Sequence, residues 1–529
     1  MIDLNYFRPD WIEHTDRKLK VDVCVYGATS AGLTAAIRSR SLGKSVALLH
    51  PGKFIGGLTT GGLGCTDHGQ KRVIGGLSRD FYRRVGKQYG IEEEFHFEPH
   101  VALLAYEQML REAGQDVMLC QYLDHVEKSA AKITAVTMLG GLRVEAAMFI
   151  DATYEGDLMA KAGASYAVGR EGNDVYGETL SGVQIQRWHQ FSHAVDPYVR
   201  EGDASSGLLP FVEPDDLTAR QGRGDRKVQA YNFRICMTDD VTLRIPWEKP
   251  EYFDPALYVL AGRWFRGEKD SYNDQMRDPN SLVLCKFDIF PHKTAGGFHK
   301  TDTNNHGPVS SDFIGANYDW PEGSYARREE MFQAHVNYQK GLYWFLANDP
   351  GVPERYRRAY ANWGLSKDEF PATGHWPHQI YVREARRMVS DYVITEKDCR
   401  GQRVADDPVA MGSYGMDSHN CSRFVKDGRV LNEGDVQVHG FEPYPIPYRS
   451  IIPKGSECQN LLVPVCLSSS HIAYGSARME PVFMALGESA AFAAAMAIDQ
   501  GVALQALPYK RLKDQLLVAG QVLSMKVVP

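Results

Sequence analysis

The residues best suited to move a proton near neutral pH are two histidines set in polar runs. His419 lies within Asp417-Ser418-His419-Asn420, and His471 within Ser468-Ser469-Ser470-His471. Imidazole titrates close to neutrality, so either could accept a proton from a hydroxyl or an acidic C–H. Either could equally be a hydrogen-bonded structural residue. Anion binding has its own candidates. Residues 379–387 carry Arg383, Arg386 and Arg387, which share a face if the stretch is helical and would then suit a carboxylate or a pyrophosphate. Ion pairs with neighbouring Glu and Asp are the competing reading. A third polar run, residues 300–307 with Asp312, reads as a turn-rich surface loop. Tyr444-Pro445-Ile446-Pro447-Tyr448-Arg449 suits a rigid aromatic wall.

The elements that must position such groups begin at residues 20–26 (KVDVCVY), a β-branched run that ends at glycine. Gly27-Ala28-Thr29-Ser30-Ala31-Gly32 follows, then a helical stretch over 33–42 and a second strand over 45–49. Strand, glycine turn, helix and strand in that order form a dinucleotide-binding βαβ unit. Gly27 permits a tight turn and Gly32 lets helix and strand pack closely. The helix N-terminus then presents free N–H groups and a partial positive charge to a pyrophosphate. Thr29 stands where the middle glycine of GxGxxG would fall, and His50 where an acid for the ribose is expected. Residues 51–64, with Gly56, Gly57, Gly61, Gly62 and Gly64, are too glycine-rich for a helix or a packed strand. Such backbone can lie flat against a planar ligand. The interleaved Phe54, Ile55, Leu58 and Leu63 argue against a flexible linker.

With these motifs the sequence resembles the FAD-dependent oxidoreductases of the glutathione-reductase-like superfamily. More narrowly, it resembles the FAD-dependent oxidoreductase family related to fumarate reductase and succinate dehydrogenase flavoproteins. Residues 26–37, 56–67, 149–163 and 460–494 carry the likeness. The resemblance implies FAD, with contacts at Gly27, Thr29, Ser30, Ala31, Gly32 and His50, and in the glycine-rich run at Gly56, Gly57, Leu58, Thr59, Gly62 and Leu63. Residues 149–158 (FIDATYEGDL) are similar to the family segment beside the adenosine half of FAD, implying Ala152, Thr153, Gly156 and Asp157; Tyr154 stands where glycine is usual. Tyr474, Gly475, Ser476, Arg478, Met479 and Pro481 precede or open a small-residue helix, with Pro481 suited to its first position. In the family that helix N-terminus faces the N1–C2=O edge of the flavin, where its partial positive charge would stabilise the reduced ring. Because this segment approaches the isoalloxazine, the resemblance makes His471 the first candidate base and His419 the second, with Arg383 toward substrate. His68 is a candidate for a covalent tether.

The expected architecture is α/β (α+β overall), a Rossmann-type FAD-binding domain with a β-meander over 116–149, plus a mixed α/β substrate or cap domain. The expected division is an arm over 1–20, a discontinuous FAD-binding domain over 21–170 and 455–529, and the cap over 171–454. A strand is expected at 228–236, another at 461–466, and a helix at 324–347. The middle shows no second strand–glycine–helix unit, which favours reduction of the flavin by substrate over reduction by NAD(P)H. The expected function is hydride transfer from a small polar metabolite (a sugar or polyol, or a hydroxy or carboxylic acid) to the flavin. The alternatives are a monooxygenase or reductase driven by NAD(P)H, and a non-catalytic FAD-binding protein. A formal net charge of -7 without a dense basic block speaks against nucleic acid. The nine scattered Cys show no zinc spacing, so no metal is expected. Residues 1–20 lack the pattern of a signal peptide, and the apolar stretch at 483–498 reads as a buried helix, so a cytoplasmic protein with no membrane partner is expected. The sequence names neither the electron acceptor nor the oligomeric state.

Overall fold

The β-branched run at the start becomes β1 (Lys18–Tyr26), whose last four residues are buried. The computed structural model describes residues 3–267 and 285–525. After β1 come α1 (Ser30–Ser41), β2 (Val46–Leu49), β3 (Val117–Met118), β4 (Leu123–Ser129), β5 (Lys132–Met138) and β6 (Arg143–Asp151). The strands lie in the order β3-β2-β1-β6-β5-β4, and Leu461–Leu462, beside β6, completes a seven-stranded sheet. β1 runs parallel to β2 and β6, and β4, β5 and β6 turn back on one another as an antiparallel meander. α1 therefore crosses from β1 to β2 with its N-terminus at the carboxyl ends of the strands, where open α/β sheets bind ligands. Thr29 is extended and its hydroxyl accepts from the Gly32 N–H, which starts the helix.

The helix Glu480–Gln500 lies against α1 and is buried through residues 480–497. Its small residues allow close approach: a Cβ at Gly487 would stand 2.1 Å from the Ala31 carbonyl oxygen. The helix is long and apolar enough to cross a membrane, and 94% of its apolar window is buried inside the protein. Pro481 is its second residue, after Glu480, and the preceding polar strip contains a separate short helix, His471–Ala477. The sheets formed within residues 171–454 are antiparallel, apart from the parallel pair Val212–Glu213 and Ser422–Lys426. The largest has five strands and contains His299–Asn305. The expected helix at 324–347 is Tyr325–Asn348, capped by Ser324.

Four local expectations are corrected. Residues 228–236 join no sheet, because side chains and a loop satisfy their backbone: Gln339 Oε1 accepts from Phe233 N, Thr303 Oγ1 accepts from Ile235 N, and Asn420 O accepts from Ala230 N. Residues 379–387 are not helical; the chain is irregular there, with a tight turn at 380–382, until Arg386–Met388 forms a strand, so the three arginines diverge. Residues 300–305 are a largely buried strand rather than a surface loop, and Asp312 is buried beyond it. The strand expected over 461–466 is only Leu461–Leu462, since the chain then turns to deliver residues 468–470 to Ile394 and Ser390.

Candidate active site

Two clefts meet at Tyr154. The first opens at the end of β1 and is lined by Gly27, Thr29, His50, Phe54, Thr153 and His378 among others. The second, which is narrow, is lined by Leu58, Leu63, Asp67, Tyr381, Val382, Arg383, Arg478, Met479, Glu480 and Phe483. Tyr154 lines both, and its hydroxyl donates to Glu480 at 2.7 Å and accepts from Leu58 N at 2.9 Å.

The first cleft has the features a nucleotide needs. The first-turn N–H groups of α1 point out of the helix without helical acceptors. Close approach here depends on glycine, since a Cβ at Gly32 would stand 1.7 Å from Gly27 O, and one at Gly27 would stand 2.8 Å from the Ala152 carbonyl carbon. His50, in place of the expected acid, accepts the Ala28 N–H at Nδ1 (3.1 Å) and so closes the turn. Burial holds its pKa down at about 4, which keeps that nitrogen an acceptor. His378 stacks on Phe54, with ring centroids 4.4 Å apart, and its buried Nε2 has no hydrogen-bond partner among the described residues. A buried polar atom facing a cleft calls for a ligand atom, so these residues fit the cofactor the sequence motifs imply.

At the junction, Ser30, Thr59 and Tyr154 all donate hydroxyls to the Glu480 carboxyl, at 2.5, 2.7 and 2.7 Å. Burial pushes the Glu480 pKa up, against those hydrogen bonds. The N-terminus of the Glu480–Gln500 helix does open on the second cleft, through Met479 and Glu480.

Of the remaining residues named from the sequence, several build the walls from behind. Gly156, left-handed at φ 68°, caps the short helix that begins at Asp157. Asp157 is buried between Arg328 (2.6 Å) and Arg386 (2.8 Å), which hold its pKa at about 2 despite burial. Ala152 O accepts the Thr29 hydroxyl. The Tyr474 hydroxyl donates to Val465 O, Ser476 to Tyr414 O, and a Cβ at Gly475 would stand 2.3 Å from Asp417 O. Pro481 O accepts from Ser78. None of these, nor Ser30, Ala31, Gly32, Gly56, Gly57, Thr59 and Gly62, lines either cleft. The Tyr444 wall is a strand paired with Pro408–Gly412 and stands off the clefts.

The two histidines separate. His471 has both ring nitrogens engaged, Nδ1 with Glu384 at 2.7 Å and Nε2 with the Ser418 hydroxyl at 3.1 Å, and burial lowers its pKa to about 3. His419 places Nδ1 2.7 Å from Asp312, and Nε2 stands 3.4 Å from Asp417. Arg383 reaches Asp312 at 2.9 Å and Arg478 reaches Asp417 at 3.0 Å, so both carboxylates link His419 to arginines that line the second cleft. Arg383 and His419 bring Asp312 down to about 2 although burial acts the other way. Arg387 pairs with Glu384 and Glu171 instead, away from the clefts. Sequence reasoning missed Asp67, Tyr381 and Glu480. Only the acidic Glu480 beside Pro481 carried a visible signal, as the first-turn acid of a helix.

A family model described as FAD dependent oxidoreductase matches residues 22–516. No curated protein matches the chain. Among solved structures the chain is similar to the bacillithiol disulfide reductase Bdr from Staphylococcus aureus, at 18% identity over 30% of this chain and 43% of that one, with a TM-score of 0.19. It is similar to L-amino acid deaminase from Proteus vulgaris at 15% identity over 30% and 55%, with a TM-score of 0.24. For OxyS anhydrotetracycline hydroxylase from Streptomyces rimosus the identity is 11% over 54% and 45%, with a TM-score of 0.26. The chain thus spans about half the length of these solved proteins.

Proposed function

The chain belongs to the FAD dependent oxidoreductase family and uses FAD, and from that premise we propose that it oxidises a CH–OH group of a small polar metabolite directly. The first cleft, with Gly27, Thr29, Thr153 and His378, would hold the adenosine half of the cofactor, and the second, between Leu58, Tyr381, Met479 and Phe483, the ring. When bound, FAD supplies the two-electron acceptor for a hydride leaving the hydroxyl-bearing carbon.

The observation that carries the reading is the Asp312–His419–Asp417 array beside the second cleft. Asp312, pinned by Arg383, accepts Nδ1–H, so Nε2 is the nitrogen that would take the hydroxyl proton. Asp417, held by Arg478, stands 3.4 Å from that Nε2. Substrate thus loses a hydride and a proton and leaves as the carbonyl compound. His471 serves as a support, with its proton-accepting nitrogens already occupied.

The test is an anaerobic visible spectrum of the holoprotein mixed with sugars, polyols, hydroxy acids, dicarboxylates and NADPH in turn, repeated with His419→Gln. Bleaching by one organic class, lost in His419→Gln with FAD content unchanged, is the expected result. Bleaching by NADPH alone would replace this reading with a reductase or monooxygenase.

A further inference from the structure

The second cleft is walled by arginines, yet it carries no excess of positive charge. Three guanidinium groups surround the Tyr381 ring, with Arg383, Arg478 and Arg234 at 4.2, 5.5 and 6.0 Å from its centroid. Each already has a carboxylate. Arg383 reaches Asp312 at 2.9 Å, Arg478 reaches Asp417 at 3.0 Å, and Arg234 holds Asp302 through two contacts of 2.5 and 3.0 Å. A fourth carboxylate, Asp67, lines the cleft, accepts the Tyr414 hydroxyl at 3.1 Å and stands 3.7 Å from Arg234 Nη1. With Glu480, which also lines the cleft, three arginines therefore face five carboxyl groups, and His419 is a further titratable neighbour.

A substrate carboxylate entering such a cleft would be desolvated beside carboxylates whose counter-ions are already spoken for. A hydroxyl group meets no such penalty, because it donates and accepts without adding charge. The wall has a donor to offer it: Arg478 Nε is buried and has no hydrogen-bond acceptor among the described residues. Asp67 supplies an acceptor on the same wall. Resting on the direct-oxidation reading above, we propose that the substrate is an uncharged polyhydroxy compound, an alditol or aldose, and not a hydroxy acid.

The test uses matched pairs that differ by one carboxylate: glycerol and glycerate, xylose and xylonate, glucose and gluconate, galactose and galactonate. Each is mixed anaerobically with the holoprotein and flavin bleaching is timed. At least one neutral member should bleach, about tenfold or more faster than its acid, the factor that corresponds to roughly 1.4 kcal/mol of discrimination. Asp67→Asn, which removes one carboxylate from the wall, should narrow that ratio; an unchanged ratio in a variant that keeps its FAD overturns the charge argument. If the variant loses FAD, the wild-type ratios decide alone. An acid that bleaches faster than its neutral partner overturns this proposal and leaves direct oxidation standing. Bleaching by NADPH with none of the eight organic compounds overturns both.

Discussion

A histidine becomes a base or a strut according to which nitrogens its neighbours leave free. His471 sits in a closed ring of hydrogen bonds. Its Nδ1 meets Glu384, which also accepts from Gln229 (2.9 Å); Gln229 in turn accepts the backbone N–H of His419 at 3.1 Å, while the His471 Nε2 meets the hydroxyl of Ser418, the residue before His419. His471→Asn should therefore keep FAD and lower stability by about 1–3 kcal/mol, the cost of leaving buried partners unpaired, read as a drop in the urea midpoint. His419→Gln should slow flavin reduction by about 10²–10⁴-fold at nearly unchanged stability. Equal losses of rate in both variants would return His471 to candidacy as the base. Both histidines were legible as polar-flanked proton carriers. What was not legible was the choice between them, because the deciding carboxylates lie 107 and 87 residues away in sequence, Asp312 for His419 and Glu384 for His471.

At the scale of elements, the nucleotide-binding unit could be read from its residues because each step is local: strand, left-handed glycine at φ 102°, capped helix, strand. Residues 228–236 could not, since their backbone is held by side chains from distant segments, as Gln339 holds Phe233 through both N–H and C=O. The same contrast separates two glycine substitutions. In Gly32→Ala the new methyl would stand 1.7 Å from Gly27 O and must prise α1 from the turn, so the purified variant should be colourless. In Gly475→Ala the methyl would stand 2.3 Å from Asp417 O, between the His471–Ala477 helix and the strand Met416–Ser418 that leads into His419. That variant should bind FAD and fail to be reduced. A yellow, fully active Gly475→Ala protein would show that this packing does not position His419.

Across the whole molecule, burial has left several histidines neutral in the fold. His50 and His335 are held at about 4, and His378 and His471 at about 3, in each case chiefly by loss of solvent. Unfolded, all four titrate near 6.5. Between pH 6.5 and about 4 these four rings therefore bind more protons unfolded than folded, and their contribution to stability rises with pH across that window. The contribution is fully present above pH 6.5 and is lost as pH falls through the window. Aspartates such as Asp312 and Asp157, held at about 2, lose their contribution only as pH falls below about 4 toward 2, whereas Asp151, raised to about 6 by burial, opposes the four histidines within the window. Urea midpoints at pH 7.5, 6.5, 5.5 and 4.5 should then decline steeply on the acid side. His378→Gln, which replaces a titrating ring with a neutral amide at the first cleft, should flatten the slope by about one proton. Because His50 and His378 both line that cleft, FAD should be released over the same pH range in which the fold weakens. A flat urea midpoint with intact FAD down to pH 4.5 would mean that these rings are solvated, and with them the cleft that is assigned to the nucleotide.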